Sequence, residues 1–117
     1  MSAQVAADLR AAAEVLRRDG WTQGAYITED GQCCAVGAVM RAVDPHADPY
    51  TDLSDLTSEH RDRVDSAVTV VSHIVAPAWG GTSYLDGPVT RWNDDARTVD
   101  EVIAALEAAA DAAEAQQ

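Results

Sequence analysis

Twenty-three of the 117 residues are alanine and none is phenylalanine. A chain built this way has little bulk to bury at each position. Its larger apolar residues are Val, Leu and Ile, and its only aromatics are three Trp and three Tyr. The resulting core is thin per residue, and the tryptophans are expected to anchor it. A chain of this length favours one domain and buries roughly two thirds of its unfolded surface, so one modest core suffices.

The apolar residues fall into four helical stripes. The first helix is expected from about Ala3 to Asp19, because Val5, Leu9, Ala12, Ala13 and Leu16 follow helical spacing. Ser2 can cap it, Arg17 and Arg18 suit its negative end, and Gly20 supplies a left-handed stop on which Trp21 folds back toward Leu16. Ala25 to Thr28, a turn at Glu29-Asp30-Gly31 and a return through Gln32-Cys33 predict a small β-hairpin. The second stripe is Val36, Val39, Met40 and Val43, starting from Cys34 and stopped by Asp44-Pro45. A polar loop, His46 to Leu56, follows. Thr57 or Ser58 then caps a third helix, whose wide stripe of Val64, Ala67, Val68, Val71, Ile74 and Val75 marks it as the central one, with Pro77 at its end. Pro77 to Arg91, holding Gly80-Gly81 and Asp86-Gly87-Pro88, is expected to be an irregular connection. Thr98 and Glu101 form a capping box for the last helix, whose inward face is Val99, Val102, Ile103, Leu106 and Ala110. Beyond Ala109 the pattern fades, and residues 110–117 are expected to fray. The predicted fold is mainly α: a four-helix single domain over residues 1–117, with a small hairpin between helices 1 and 2.

Twenty acidic residues against eight basic ones give a net charge of −12. Every basic residue is Arg. The use of Ala, Val, Asp and Arg in place of Lys, Ile and Phe fits a GC-rich genome, such as that of an actinobacterium or its phage, ahead of a halophile. The charge repels phosphate backbones, which argues against direct nucleic-acid binding. The most apolar run, Val64 to Trp79, is broken by Asp65, Ser72, His73 and Pro77, so no membrane span is expected. Met1-Ser2-Ala3-Gln4 does not begin a leader of basic and then apolar residues, and the chain is expected to be cytoplasmic, in the host cytoplasm if a phage encodes it.

Few residues suggest chemistry. Cys34 at a helix start, with His73 as base and Asn93 or Asp94 as orienter, gives the order of a Cys-dependent hydrolase or transferase. The competing reading makes Cys34 a small core residue beside Gly37 and places His73 on a helix surface. That reading is preferred, because nothing local enforces the triad, so no enzyme is expected. Adjacent Cys33 and Cys34 form no disulfide framework, although a strained vicinal bond is chemically open to them. His60 and His73 lie thirteen residues apart, about 220° around one helix, so they cannot share a zinc ion. Asp44, Asp48, Asp52 and Asp55 lack EF-hand spacing, and no glycine pattern cradles phosphate. Neither metal nor cofactor is expected. In Arg91-Trp92-Asn93-Asp94-Asp95, Trp92 is expected to bury while Asn93 and Asp94 satisfy local backbone donors. The functional alternative makes Arg91 and Trp92 a recognition surface.

Gly20-Trp21-x-x-Gly24-Ala25, Cys34-Ala35-Val36-Gly37-Ala38, Arg91-Trp92-Asn93-Asp94 and Thr98-x-x-Glu101-Val102 together resemble a family of small actinobacterial and actinophage proteins, domain of unknown function 6197. The resemblance runs from the first helix to the last. It implies a phage or actinobacterial cytoplasmic setting and carries over no activity, cofactor or catalytic residue. The function expected from the residues is therefore non-enzymatic binding of a partner protein, for instance on a basic, nucleic-acid-binding face of that partner. Asp48, Asp52 and Asp55 join Arg91 and Trp92 as contact residues, since opposite fields speed encounter. Acidity that only keeps the domain soluble stands beside that reading. A homodimer through the Ala-rich faces of the first and last helices is a third.

Overall fold

The computed structural model describes residues 2–76, 87–95 and 98–116. Among them are five α-helices: α1 (Ser2–Asp19), α2 (Ala35–Val43), α3 (Ser58–Val75), α4 (Pro88–Asp94) and α5 (Val99–Ala115), with one 3-10 turn at Leu53–Asp55. The protein is mainly helical, as the stripes predict, but the helix count is one higher. The added element is α4, in a stretch expected to be irregular. Pro88 occupies its first turn, where a missing N–H costs nothing and the fixed φ suits a helix. The expected role of Pro77 and the pair Gly80-Gly81 lie outside the described residues.

Helix α1 begins at Ser2, the residue expected to cap it, and buries Leu9, Ala12, Ala13 and Leu16 together with Ala6 and Val15. Gly20 ends it at φ +94°, with its N–H on the Leu16 carbonyl at 3.0 Å. Only glycine adopts that backbone without strain.

The segment between α1 and α2 contains no strand. Its pairing is limited to two isolated bridges, Trp21 with Cys33 and Ile27 with Cys33. The chain does turn back at Gly31, φ +89°, where the Thr28 N–H meets the Gln32 carbonyl at 2.8 Å. A ladder cannot extend further, because Cys33 is shared between two neighbours and α2 starts two residues later. Cys33 and Cys34 are both free thiols.

Helix α2 is the most enclosed element: every residue from Cys33 to Met40 is buried. This corrects the expectation that the third helix is central. In α3, Val64, Ala67, Val68, Val71 and Ser72 are buried, while Ile74 is 42% exposed. Gly37 explains how α2 lies so deep. A Cβ there would overlap the Tyr26 carbonyl oxygen, so only glycine lets the helix touch that backbone. Arg41 ties down the far end of α2, donating to Asp19 at 3.2 Å and to the carbonyls of Gly31 and Ala47 at 2.9 and 3.1 Å.

Helix α5 continues past Ala109, where fraying is expected, to Ala115. Ala110 and Ala113 are buried. Arg10 reaches Asp111 and Glu114, and Arg17 reaches Glu107, at 2.8–3.0 Å. These pairs run in opposite directions along the two helices, so α1 and α5 are antiparallel neighbours. Part of the alanine surface considered for a homodimer is used within the chain, where Ala12, Ala13, Ala109 and Ala110 are buried, while Ala7, Ala11, Ala104 and Ala108 are exposed. One ionic contact lies deeper. Asp8 on α1, only 3% exposed, receives two hydrogen bonds from Arg63 on α3, at 2.7 and 3.2 Å, and one from Gln4 at 2.9 Å.

Candidate functional site

Asn93, fully buried near the end of α4, organises the region. Its Oδ1 accepts from the Trp21 indole at 2.8 Å and from the Ala35 N–H at 3.0 Å. Its Nδ2 donates to the Thr22 carbonyl at 3.1 Å and to Asp94 Oδ1 at 3.2 Å. Gln23 adds a bond to the Asn93 carbonyl at 3.1 Å. The carboxamide has no unused capacity, since two acceptor and two donor positions are all engaged. It satisfies a first-turn N–H of α2, which would otherwise be buried without a partner.

The expectation that Asn93 and Asp94 serve local backbone donors is thus corrected. Their partners are remote, because the short α4 carries both side chains onto the Trp21–Gly24 loop. Asp94 Oδ1 also accepts from the Gly24 N–H at 3.0 Å. Trp92 is half-buried and packs on the core, and Arg91 is exposed.

Cys34 is the N-cap of α2, its sulfur accepting from the Gly37 N–H at 3.4 Å. It is 1% exposed. Burial pushes its thiol up to about 11, against a smaller pull from the Gly37 N–H. Burial also raises Cys33. Desolvation outweighs the help that a helix N-terminus gives a thiolate, so Cys34 is a thiol at neutral pH. Asn93 and Cys34 are brought to the same end of α2. His73 is exposed on α3 and is not among the residues that line the cleft beside Cys34.

That cleft, of about 350 Å³, is lined by Gly24, Ala25, Tyr26, Cys34, Thr90 and Asp94. A shallower depression lined by Thr90, Arg91, Asp94 and Asp95 adjoins it. Among the described residues, no three of His, Cys, Asp and Glu gather where a metal ion could be held, and no helix is long and apolar enough to cross a membrane.

The acidic loop lies at the other end of α2, about 13 Å along a nine-residue helix axis. The structure therefore places Asp48, Asp52 and Asp55 apart from Arg91 and Trp92. Each acid has a local task. Asp48 accepts from the Tyr50 N–H at 2.8 Å and from the Thr51 hydroxyl at 3.1 Å. Asp52 caps the 3-10 turn through the Leu53 N–H at 2.7 Å, and Asp55 accepts from the Asp52 N–H at 2.8 Å. Leu53 and Leu56 anchor the loop in the core.

What the sequence reading missed is Tyr50, 80% exposed at the tip, with its hydroxyl 3.1 Å from Glu29. The available signal is its setting in Asp48-Pro49-Tyr50-Thr51-Asp52, a turn flanked by aspartates.

Fold and site together define a small helical domain closed by a buried asparagine hub, with an acidic loop at one end of its central helix. The chain belongs to the family of unknown function DUF6197, which it matches over residues 1–112. No curated protein and no solved structure matches it.

Proposed function

We propose that this domain is a non-enzymatic binding protein that docks on a basic surface of a partner protein through the loop around Tyr50. The observation that carries this reading is Tyr50 itself. An aromatic ring held 80% exposed, tethered by Glu29 and bordered by Asp48 and Asp52, has the composition of an interface anchor with a charged rim. The loop is braced by its own turns and capping bonds, so little ordering remains to be done on docking. The net charge of −12 steers a basic partner, such as a nucleic-acid-binding factor, toward it. The setting that fits the Lys-free composition is the cytoplasm of an actinobacterium, including one infected by a phage that encodes the protein. The Cys-dependent alternative is weakened by a buried, protonated Cys34 and an exposed His73.

The test is retention of a partner from an actinobacterial lysate at low and high salt, with wild type beside a Tyr50→Ala/Glu29→Gln/Asp48→Asn variant. A partner kept by wild type at low salt, and lost both at high salt and by the variant, supports the reading. Equal retention by the variant sinks it.

A further inference from the structure

The cleft beside α4 holds a carboxylate fixed in place with one oxygen left over, and sets it in the wall of a concave pocket. Asp94 Oδ1 is engaged by the Gly24 N–H and by Asn93 Nδ2, at 3.0 and 3.2 Å. Among the described residues, Oδ2 has no hydrogen-bond or ion-pair partner. Asn93 is itself locked by three further side-chain bonds, so Asp94 is oriented before any ligand arrives. Such a carboxylate loses little rotamer freedom on binding a cation.

The walls decide which cation. Among the described residues, Gly24, Ala25, Tyr26 and Cys34 form weakly polar walls, with Thr90 beside the carboxylate. A volume of about 350 Å³ is at the small end of ligand pockets and suits a side chain better than a nucleotide. A guanidinium sheds water more readily than an ammonium and keeps its planar donors. Among the described residues at the mouth, Asp94 and Asp95 outnumber Arg91, so their charge favours a cation.

We propose that the Cys34–Asp94 cleft receives one arginine side chain of the partner, its guanidinium donating to Asp94 Oδ2 and its alkyl stem lying along Ala25 and Tyr26. The proposal rests on the reading of the domain as a binder of basic protein. It adds a second anchor, at the opposite end of α2 from Tyr50. It also accounts for the convergence of Gly24-Ala25, Cys34 and Asp94, drawn from three separate sequence motifs, on one cavity.

The test uses the whole protein and a small probe, N-acetyl-arginine N-methylamide, followed by amide NMR shifts. Saturable shifts at Gly24–Tyr26 and Thr90–Asp95 are expected, weakened about tenfold by Asp94→Asn, as loss of one charge-assisted hydrogen bond implies. Asp94→Asn keeps an acceptor for the Gly24 N–H. Should it nevertheless fail to fold, Asp95→Asn, at an exposed position, is expected to weaken binding two- to threefold through the field alone. The norleucine analogue, which keeps an alkyl stem and lacks the charge, should shift nothing. Equal shifts from norleucine, an unchanged affinity in both variants, or no shifts at these residues each overturn the proposal. Probe binding here with partner retention unaffected by the Tyr50 variant would instead overturn the loop reading and leave the cleft standing.

Discussion

The indole N–H of Trp21 donates to Asn93 Oδ1 over 2.8 Å, joining residues 72 positions apart. The same oxygen takes the Ala35 N–H at 3.0 Å, so one side chain closes the loop after α1, the start of α2 and the end of α4 together. Asn93→Ala removes this acceptor, strands the buried Ala35 N–H and takes the partner from the part-buried Trp21 indole. The expected loss is about 3 kcal/mol, at one to three per unsatisfied buried group, read as a lower urea midpoint. Asn93→Asp keeps Oδ1 but sets a second carboxylate oxygen against the Thr22 carbonyl and Asp94, and should also destabilise. A midpoint within experimental error of wild type for both variants would show that the hub is dispensable.

Gly37 and Tyr26 make the second closure. A methyl at position 37 collides with the Tyr26 backbone oxygen, and backbone has no rotamer by which to yield. Gly37→Ala is expected to cost more than about 3 kcal/mol, the upper end for overpacking, even though alanine is the better helix former. An increase in melting temperature would contradict the close approach.

Features whose causes are local were legible in the sequence. Gly20, Thr57 and Thr98 act on their own helix ends through backbone groups three or four residues away, and each sits where its type predicts. The hub was not legible, because the Trp21, Thr22 and Ala35 partners of Asn93 lie 58 to 72 residues off and nothing near it reveals them. Helix α4 escaped because seven residues are too few to show a stripe. The deep placement of α2 was hidden by its small residues, since Ala35, Gly37 and Ala38 announce burial far less than the valines of α3. At the candidate site, the acidic composition of the loop was visible, but the outward tyrosine at its tip was not.

The Asp8–Arg63 pair gives a third expectation. Asp8 is 3% exposed while the Arg63 side chain keeps 29%, so one partner is buried and the other is partly wet. Arg63→Met leaves a buried carboxylate with only Gln4, and should cost about 3 kcal/mol, the low end for breaking a buried pair. The double variant Asp8→Leu/Arg63→Met replaces both charges with apolar groups and should recover most of that loss. A double variant as unstable as the single one would mean that the ion pair itself, rather than the stranded charge, holds α1 to α3.

The last expectation concerns alkaline pH, where the absence of Lys from the chain clears a window that lysines usually crowd. Burial raises Cys34 from an ordinary 9.0 to about 11. The folded state therefore holds its proton where the unfolded state has lost it. A folded value above the unfolded one gives a stabilising contribution that is complete below pH 9 and is lost as pH rises through 11. The loss amounts to about 2–3 kcal/mol across that span, since each pH unit between the two values is worth about 1.36 kcal/mol. Cys33, raised in the same direction by burial, steepens the fall. Urea unfolding at stepped pH values should show stability dropping from pH 9 upward in wild type. In Cys34→Ala the drop should be shallower, although this variant starts about 1 kcal/mol lower for want of the cap to Gly37. The same burial predicts that iodoacetamide at neutral pH labels Cys34 only through opening of the fold, at a rate that follows added urea. Rapid labelling of the native protein would mean an accessible thiolate and would return Cys34 to candidacy as a nucleophile.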